Sequence, residues 1–387
     1  MSEENTRHGG TAGRGSESEG PVAVLFGGPS AEHDVSVVSG WAIADSLAGS
    51  GFAVERLFID LRGRWWRVRD EAVSGRPRAG VFDDPGSGGA DGPWSPGEAL
   101  AMLSARPDAP VVFVALHGPF GEDGTVQALL DAYDLTYTGA GVSASAIGMD
   151  KVIFKRLVGG LGLPIVPWMQ VTAARWRADR RSVLGDVDLF ATRNGEPRLM
   201  VKPSRLGSSV GMTIAHGPDE RAAALDTAFR YDTVAVVEKY LDHPRELEVA
   251  VIGNEPSRLQ SFGPGEVYPG REFYDYVAKY ADGVSKTTPK ADLDPELAGD
   301  VRAMAEKAYA AIGCEGFARI DFLLDGTRVL LSEINTIPGF TPISLFPVMA
   351  AGGLGSFAAV CVRIVELARA RRSARIRSTL TPADLPR

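Results

Sequence analysis

Residues 319–339, RIDFLLDGTRVLLSEINTIPG, set Asp321, Glu333 and Asn335 inside two short apolar runs on either side of Asp325 and Gly326. The runs read as two strands of a hairpin, with Asp-Gly as the turn signal. Side chains alternate along a strand, so Arg319 and Asp321 share one face, as do Glu333 and Asn335 on the next strand. A bare two-residue turn at Asp325-Gly326 puts Asp321 and Glu333 on opposite faces, and a shared site therefore requires an odd-length loop or a bulge. Two carboxylates about 4 Å apart repel by roughly 4 kcal/mol at an effective dielectric of about 20, which an apolar setting does not tolerate without a cation. Oxygen donors alone, two carboxylates and an amide, select hard Mg2+, an ion that combines few carboxylates with substrate phosphates.

The chain around this hairpin has 387 residues, beyond the size at which one core keeps growing, and two or three packed domains are expected. Its 44% hydrophobic and 23% charged residues are the proportions of a soluble globular protein, and no apolar run approaches the ~18 residues of a membrane span. A net charge of -8 argues against a chain built to coat nucleic acid, since phosphate backbones demand a basic face; small molecules are the expected partners. Cys314 and Cys361 show neither metal-ligand spacing nor a disulfide framework, which points to a reducing, cytoplasmic compartment. Residues 1–20 are polar and Gly/Ser-rich without an apolar stretch, and read as a disordered tail that lacks a secretory signal.

Along the chain, VAVLFGG reads as a buried parallel strand closed by paired glycines, and SVVSGWAIADSLAGSG as a helix that ends at Gly. With FAVERLFID and PVVFVALHG as further strands, residues 21–138 predict an open α/β domain. In such sheets ligands sit beyond the carboxyl ends of the strands, where Gly27, Gly28, Glu32, His117 and Glu122 fall. MDKVIFKRLVGGLGLP opens with a basic amphipathic helix, and RLMVKPSRLGSSVGMTIA and TVAVVEKYL complete a small α+β unit over 139–241. Residues 242–374 carry the strand RELEVAVIG, the long loop EVYPGREFYDYVAKYADG, a helix at DPELAGDVRAMAEKAYAAIG and the hairpin, and 375–387 form a second tail. The basic ARARRSARIRS reads as a solvated helix end.

In VKPSRLGSSVG, Gly207, Ser208, Ser209 and Gly211 can form a mobile loop whose backbone N–H groups approach phosphate, with Lys202 adding charge. The order G-x-x-x-x-G-K-[ST] is absent and the lysine precedes the glycines, which argues against a P-loop NTPase. In VVEKYL, Glu238 and the neighbouring backbone could hydrogen-bond an adenine amino group. A Rossmann dehydrogenase is discarded, because GGPSAEH lacks G-x-G-x-x-G and no hydride-transfer constellation follows.

Six segments, LFGGPSAEHDVSVVSG, ALHGPFGEDGTVQALLD, YTGAGVSASAIGMDK, VKPSRLGSSVGM, EFYDYVAKY and RIDFLLDGTRVLLSEINTIPGFTPISLFP, resemble those of D-alanine–D-alanine ligases in the ATP-grasp superfamily. They stand in that family's order and span residue 21 to about 370. The resemblance implies a three-domain ATP-grasp fold, mixed α/β and α+β, with an N-terminal open α/β substrate-binding domain. It implies ATP and two Mg2+ ions as cofactors, with Mn2+ as a substitute, and a cytoplasmic homodimer. Lys151 and Lys202 are implied to hold ATP phosphates together with Ser209, Glu238 to read adenine beside Lys239 and Leu241, and Glu246 to take the ribose hydroxyls. Asp321, Glu333 and Asn335 are the implied metal ligands. Glu32 is implied to bind the ammonium of the first D-alanine, with Ser208 and Tyr280 completing a hydrogen-bonded set. Arg319 and the Gly339 backbone are implied to stabilise an oxyanion, Lys279 and Ser344 to face the second substrate and transferred phosphate, and His117 to lie beside the substrate.

The implied reaction joins two D-alanines through an acyl phosphate, for peptidoglycan precursor synthesis. GEVYPGREFYDYVAKYADG falls where the family carries a mobile omega loop, a lid that keeps water from the acyl phosphate. Relatives join D-alanine to D-lactate or D-serine; FYDYVAKY, with Tyr280, resembles the dipeptide-forming branch. Pro342 and Leu206 depart from some members without touching an assigned role, so a biosynthetic or self-resistance paralogue with an altered acceptor is the alternative. A nucleotide-binding scaffold without turnover would be marked by a missing metal ligand, and all three positions are filled.

Overall fold

The computed structural model describes residues 20–69, 85–86, 89–268 and 286–375. Most of the expected lid and nearly all of both tails lie outside these residues. The architecture is mixed α/β with three sheets. The first contains β1 (Val22–Gly27), β2 (Val54–Ile59), β3 (Trp65–Val68), β4 (Ala90–Trp94) and β5 (Val111–Val114) in the order β4-β3-β2-β1-β5. β1 is buried throughout and pairs in parallel with β2 and β5, as its unbroken apolar run demands. The loops after β1 and β5 therefore leave from one edge of the sheet. That edge brings Glu32, just ahead of α1 (His33–Gly49), to the segment that carries His117. The opposite sheet face packs on α2 (Pro96–Ser104) and α3 (Thr125–Ala132) through Leu100, Leu103, Val126 and Leu130.

After α4 (Val142–Met149) and α5 (Lys151–Gly160) comes an antiparallel sheet of β6 (Trp168–Thr172), β7 (Leu199–Pro203), β8 (Thr213–Ala215) and β9 (Val234–Lys239) in the order β6-β9-β7-β8. Leu199, Val201, Ala235 and Val237 share one face with residues of α6 (Ala173–Ala178), α7 (Arg180–Arg193) and α8 (Pro218–Ala228). Strand alternation then leaves Lys202 and Glu238 on the other face.

The third sheet is antiparallel: β10 (Arg245–Ile252), β11 (Gln260–Tyr268), β12 (Lys286–Thr288), β13 (Phe317–Asp325) and β14 (Arg328–Asn335) in the order β12-β11-β10-β13-β14. Leu247, Val249, Val251, Ile320, Phe322 and Ile334 bury one face against α9 (Pro295–Ala311). The β13–β14 turn is two residues long, Gly326 and Thr327, and Gly326 at φ +62° takes a left-handed position in which a side chain would be strained. The bulge that a short turn requires is present. Phe322 pairs with Leu331, but Asp321 pairs with Glu333, so Ser332 is an extra residue and β14 shows two successive half-buried positions there.

The last helices, α10 (Leu345–Leu354) and α11 (Phe357–Ala374), return toward the first sheet, and Val360, Ile364, Val365 and Leu367 join a core with Val22, Val24 and Phe26. Rings tie the first and third sheets together: Phe340 lies 5.8 Å from both Phe113 of β5 and Phe317 of β13. The basic end of α11 corrects the expectation of a solvated helix end. Arg371 is buried, donates to the backbone carbonyls of Tyr137 and Gly139, and sits 4.4 Å over the Tyr137 ring. Arg372 and Arg375 pair with Asp134 and Asp131. Acids and carbonyls from the end of α3 and the segment after it thus turn a charge run into a strap, a pairing between residues more than 230 positions apart. Among the described residues no single helix is long and apolar enough to cross a membrane.

Candidate active site

Between the second and third sheets, Val166, Leu241, Leu330 and the partly buried Leu323 form a small apolar cluster, the floor of a candidate cleft. On the third sheet, Glu248 pairs with Asp321 and Asp321 with Glu333, so three carboxylates from β10, β13 and β14 stand on one face. Cations hold them together. Arg319 grips Asp321 with two hydrogen bonds of 2.7 Å and lies 3.3 Å from Glu248. Lys151 Nζ is 3.3 Å from Glu333, and Asn335 donates to Asp321 at 2.9 Å. Burial opposes the charge of Arg319, yet Asp321 and Glu248 raise its pKa well above the ordinary value.

Across the cleft, α5 supplies Lys151 and Lys155 one turn apart on the same helical face. Asp150 caps this helix, accepting from the N–H groups of Val152 and Ile153, which fixes where the two lysines start. Lys151 also donates to the carbonyl of Leu206, at the start of the glycine loop. Lys155 Nζ sits 2.6 Å from one Glu238 oxygen and Lys202 Nζ 2.7 Å from the other. Burial alone would raise the Glu238 pKa, but Lys155 and Lys202 hold it at about 2. Lys202 reaches Glu238 along the diagonal of the β7–β9 ladder.

The first sheet contributes the third wall. Ser208 donates to Glu32, and it does so from a backbone at φ +49°, followed by Ser209 at φ +59°. Gly118 takes a left-handed φ of +74° that strains a side chain, and a Cβ there would displace the Glu32 carboxylate, 2.7 Å away. His117 is buried, its Nδ1 donates to the Ile337 carbonyl at 3.1 Å, and its Nε2 lies 3.2 Å from the Ser39 hydroxyl. Burial disfavours the charged ring, yet Glu122 at 3.8 Å and Glu32 outweigh it and raise the His117 pKa. Burial likewise raises that of Glu122, whose carboxylate accepts from the Gly118 N–H.

Glu246 shares the Glu248 face of β10, and Leu241 is in the floor. Lys239 ends β9, its N–H bonded to the Pro167 carbonyl. Ser344 precedes α10 and is held by the N–H and hydroxyl of Thr341, close to Gly339. Lys279 and Tyr280 lie outside the described residues. Lys155, Glu248 and Ser39 were not anticipated. The Lys151–Lys155 spacing, a helical turn, was the available signal for the first; Glu248 needed the β10–β13 register.

For a metal, the donor set fits. Among the described residues no three or more His, Cys, Asp or Glu side chains converge as a self-contained metal cage. Two facing carboxylates plus an amide, neutralised here by Arg319 and Lys151, are oxygen donors of the kind that would hold a hard divalent cation together with phosphate and water.

Comparison with known proteins places most of the chain in one family. Family models described as D-ala D-ala ligase N-terminus and D-ala D-ala ligase C-terminus match residues 21–140 and 157–366. The chain is 38% identical to the D-alanine–D-alanine ligase of Chlorobaculum tepidum, over 92% of this chain and 98% of that protein. It is 40% identical to that of Kineococcus radiotolerans, over 90% and 96%. The solved D-alanine-D-alanine ligase from Coxiella burnetii superposes with a TM-score of 0.76 at 30% identity, over 92% of this chain and 95% of that one. The VanG D-Ala:D-Ser ligase from Enterococcus faecalis also gives 0.76, at 28% identity, over 90% and 99%. With both family models matched in order and the cleft residues gathered as described, the chain belongs to the D-alanine–D-alanine ligase family.

Proposed function

We propose that this enzyme uses ATP and Mg2+ to join two D-alanines for peptidoglycan precursor synthesis, working in the cytoplasm as a homodimer. The carboxylate of the first D-alanine takes the γ-phosphoryl group and ADP leaves. The amine of the second D-alanine then attacks that carbonyl and phosphate departs. The observation that carries the reading is the facing pair Asp321 and Glu333, with Lys151 at 3.3 Å and the Lys202–Glu238 pair across the cleft.

In this reading Asp321, Glu333 and Asn335 hold Mg2+, which supplies positive charge against the phosphates. Lys151 and Lys202 turn from their carboxylates to the phosphates, and Ser209 offers its backbone N–H. Glu238, Lys239 and Leu241 receive the adenine, Glu246 the ribose. Glu32, steadied by the Ser208 hydroxyl, takes the ammonium group of the first D-alanine, with Tyr280 as the third member of the set and His117 alongside. Arg319 and the Gly339 N–H face the oxyanion that forms on the second attack; Lys279 and Ser344 face the acceptor and departing phosphate. Positioning, rather than covalent participation by the protein, does most of the chemistry.

The test is ADP release by the purified enzyme with ATP, Mg2+ and D-alanine, with D-lactate, D-serine or L-alanine in competition. D-alanine-dependent turnover that EDTA abolishes and Mg2+ restores is expected. No D-alanine-dependent ADP would end the reading, and preferred incorporation of D-lactate or D-serine would overturn the acceptor. Light scattering of the purified chain checks the dimer.

A further inference from the structure

Lys155, Glu238 and Lys202 form a closed charge set: one buried carboxylate with a cation 2.6 Å from one oxygen and another 2.7 Å from the second. All three side chains are at most 6% exposed. The carboxylate needs one cation; stripped of both it would be a buried unpaired charge, among the costliest states a protein interior can hold. Two cations leave the set one positive charge in excess, and that excess is what an anionic ligand relieves. The two lysines are mounted differently. Lys202 projects from β7, the strand that runs directly into the glycine loop. Lys155 projects from the middle of α5, and both its Nζ and the Glu238 oxygen it faces are sealed from solvent. Lys155 is therefore sealed off, whereas Lys202, 6% exposed against 1%, stands at the strand end beside the glycine loop.

We propose that Lys155 is a positioning residue that stays on Glu238 as its resident counter-ion, so that Lys202 leaves for the phosphates of the nucleotide without stranding the acid. The Glu238 oxygen that Lys202 vacates becomes the acceptor for the amino group of the base. Phosphate and base recognition are thereby coupled through one carboxylate. This rests on the reading of the cleft as a nucleotide site.

The test compares, by calorimetry on the full chain, the dissociation constants of adenosine and ADP. Their ratio isolates the phosphate contribution, and contacts to the base cancel. In Lys155→Met, Lys202 is the sole partner of Glu238 and is retained there, so the ratio should fall about ten-fold or more, with KM for D-alanine within about two-fold of wild type. In Lys155→Met/Glu238→Gln the acid is gone and Lys202 is released, so the ratio should return to within about three-fold of wild type. A ratio in Lys155→Met within about two-fold of wild type overturns the proposal, and so does a double variant that stays low. If the single variant does not fold, the double variant, which buries no unpaired acid, decides alone by the same limit. Wild-type protein that binds ADP no more tightly than adenosine would instead refute the nucleotide site itself, together with what rests on it.

Discussion

Asp321 stands opposite Glu333 across the β13–β14 ladder because Ser332 is an extra residue in β14. Without the bulge, the two-residue turn at Gly326 and Thr327 would place Ser332 opposite Asp321 and send Glu333 into the apolar layer on α9. One residue of register thus decides whether the sheet has a pair of carboxylates on its cleft face. The extra residue also carries a cost in a broken ladder, which is tolerated at the site where it aims a side chain.

Asp321→Asn and Glu333→Gln should each lower kcat/KM at least about 100-fold, since losing a metal ligand removes several kcal/mol of charge stabilisation. Both side chains are partly exposed, at 18% and 25%, so urea unfolding should change by only about 1 kcal/mol. Loss of stability equal to the loss of activity would mean that the pair is structural.

Ser208 holds a left-handed backbone and donates to Glu32. Ser208→Gly relieves the strain, offset by the greater freedom of glycine in the unfolded chain, and should leave stability unchanged or raise it by up to about 1 kcal/mol. With the hydroxyl gone, KM for D-alanine should rise about ten-fold. Kinetics and thermal unfolding of the one variant separate the two effects.

Glu238 titrates at about 2 in the folded chain against 4.5 as an ordinary carboxyl. A depressed folded pKa contributes stability that is present above 4.5 and lost as pH falls from there toward 2, an amount of roughly 3 kcal/mol in full. The stability advantage of wild type over Glu238→Gln, from urea unfolding, should therefore be largest at pH 6 and shrink steadily below pH 4.5. A gap independent of pH would show that the carboxyl is not held ionised by its lysines.

Arg371→Met should destabilise the chain by about 2–4 kcal/mol, since it leaves the Tyr137 and Gly139 carbonyls without their buried donor and removes a cation over the Tyr137 ring. Nucleotide affinity should be unchanged, because the strap lies at the end of α11 on the first sheet. Denaturant unfolding and calorimetry read the two quantities.

Local pattern carried most of the elements. The apolar run of β1, the alternation of β13 and the Gly-rich loop after β7 all reflect constraints among residues a few positions apart, and each element forms where that pattern put it. The need for a bulge was legible too, because turn length and strand parity are both properties of the chain. Its place at Ser332 was not, since several residues of β14 could have been the extra one. Lys155 and Glu248 escaped notice because their meaning depends on partners from other elements: Glu238 on β9 for one, Arg319 on β13 for the other.

By itself, the order of residues determined which side chains could carry charge into the cleft and which faces of strands and helices would be apolar. Only the tertiary structure decided which acid meets which cation. A lone carboxylate buried among apolar residues is unfavourable wherever it stands, and what makes Glu238 tolerable is the pair of lysines brought from α5 and β7. The same reason explains the end of α11: its arginines read as a solvated run until Asp131, Asp134 and two backbone carbonyls are folded against them.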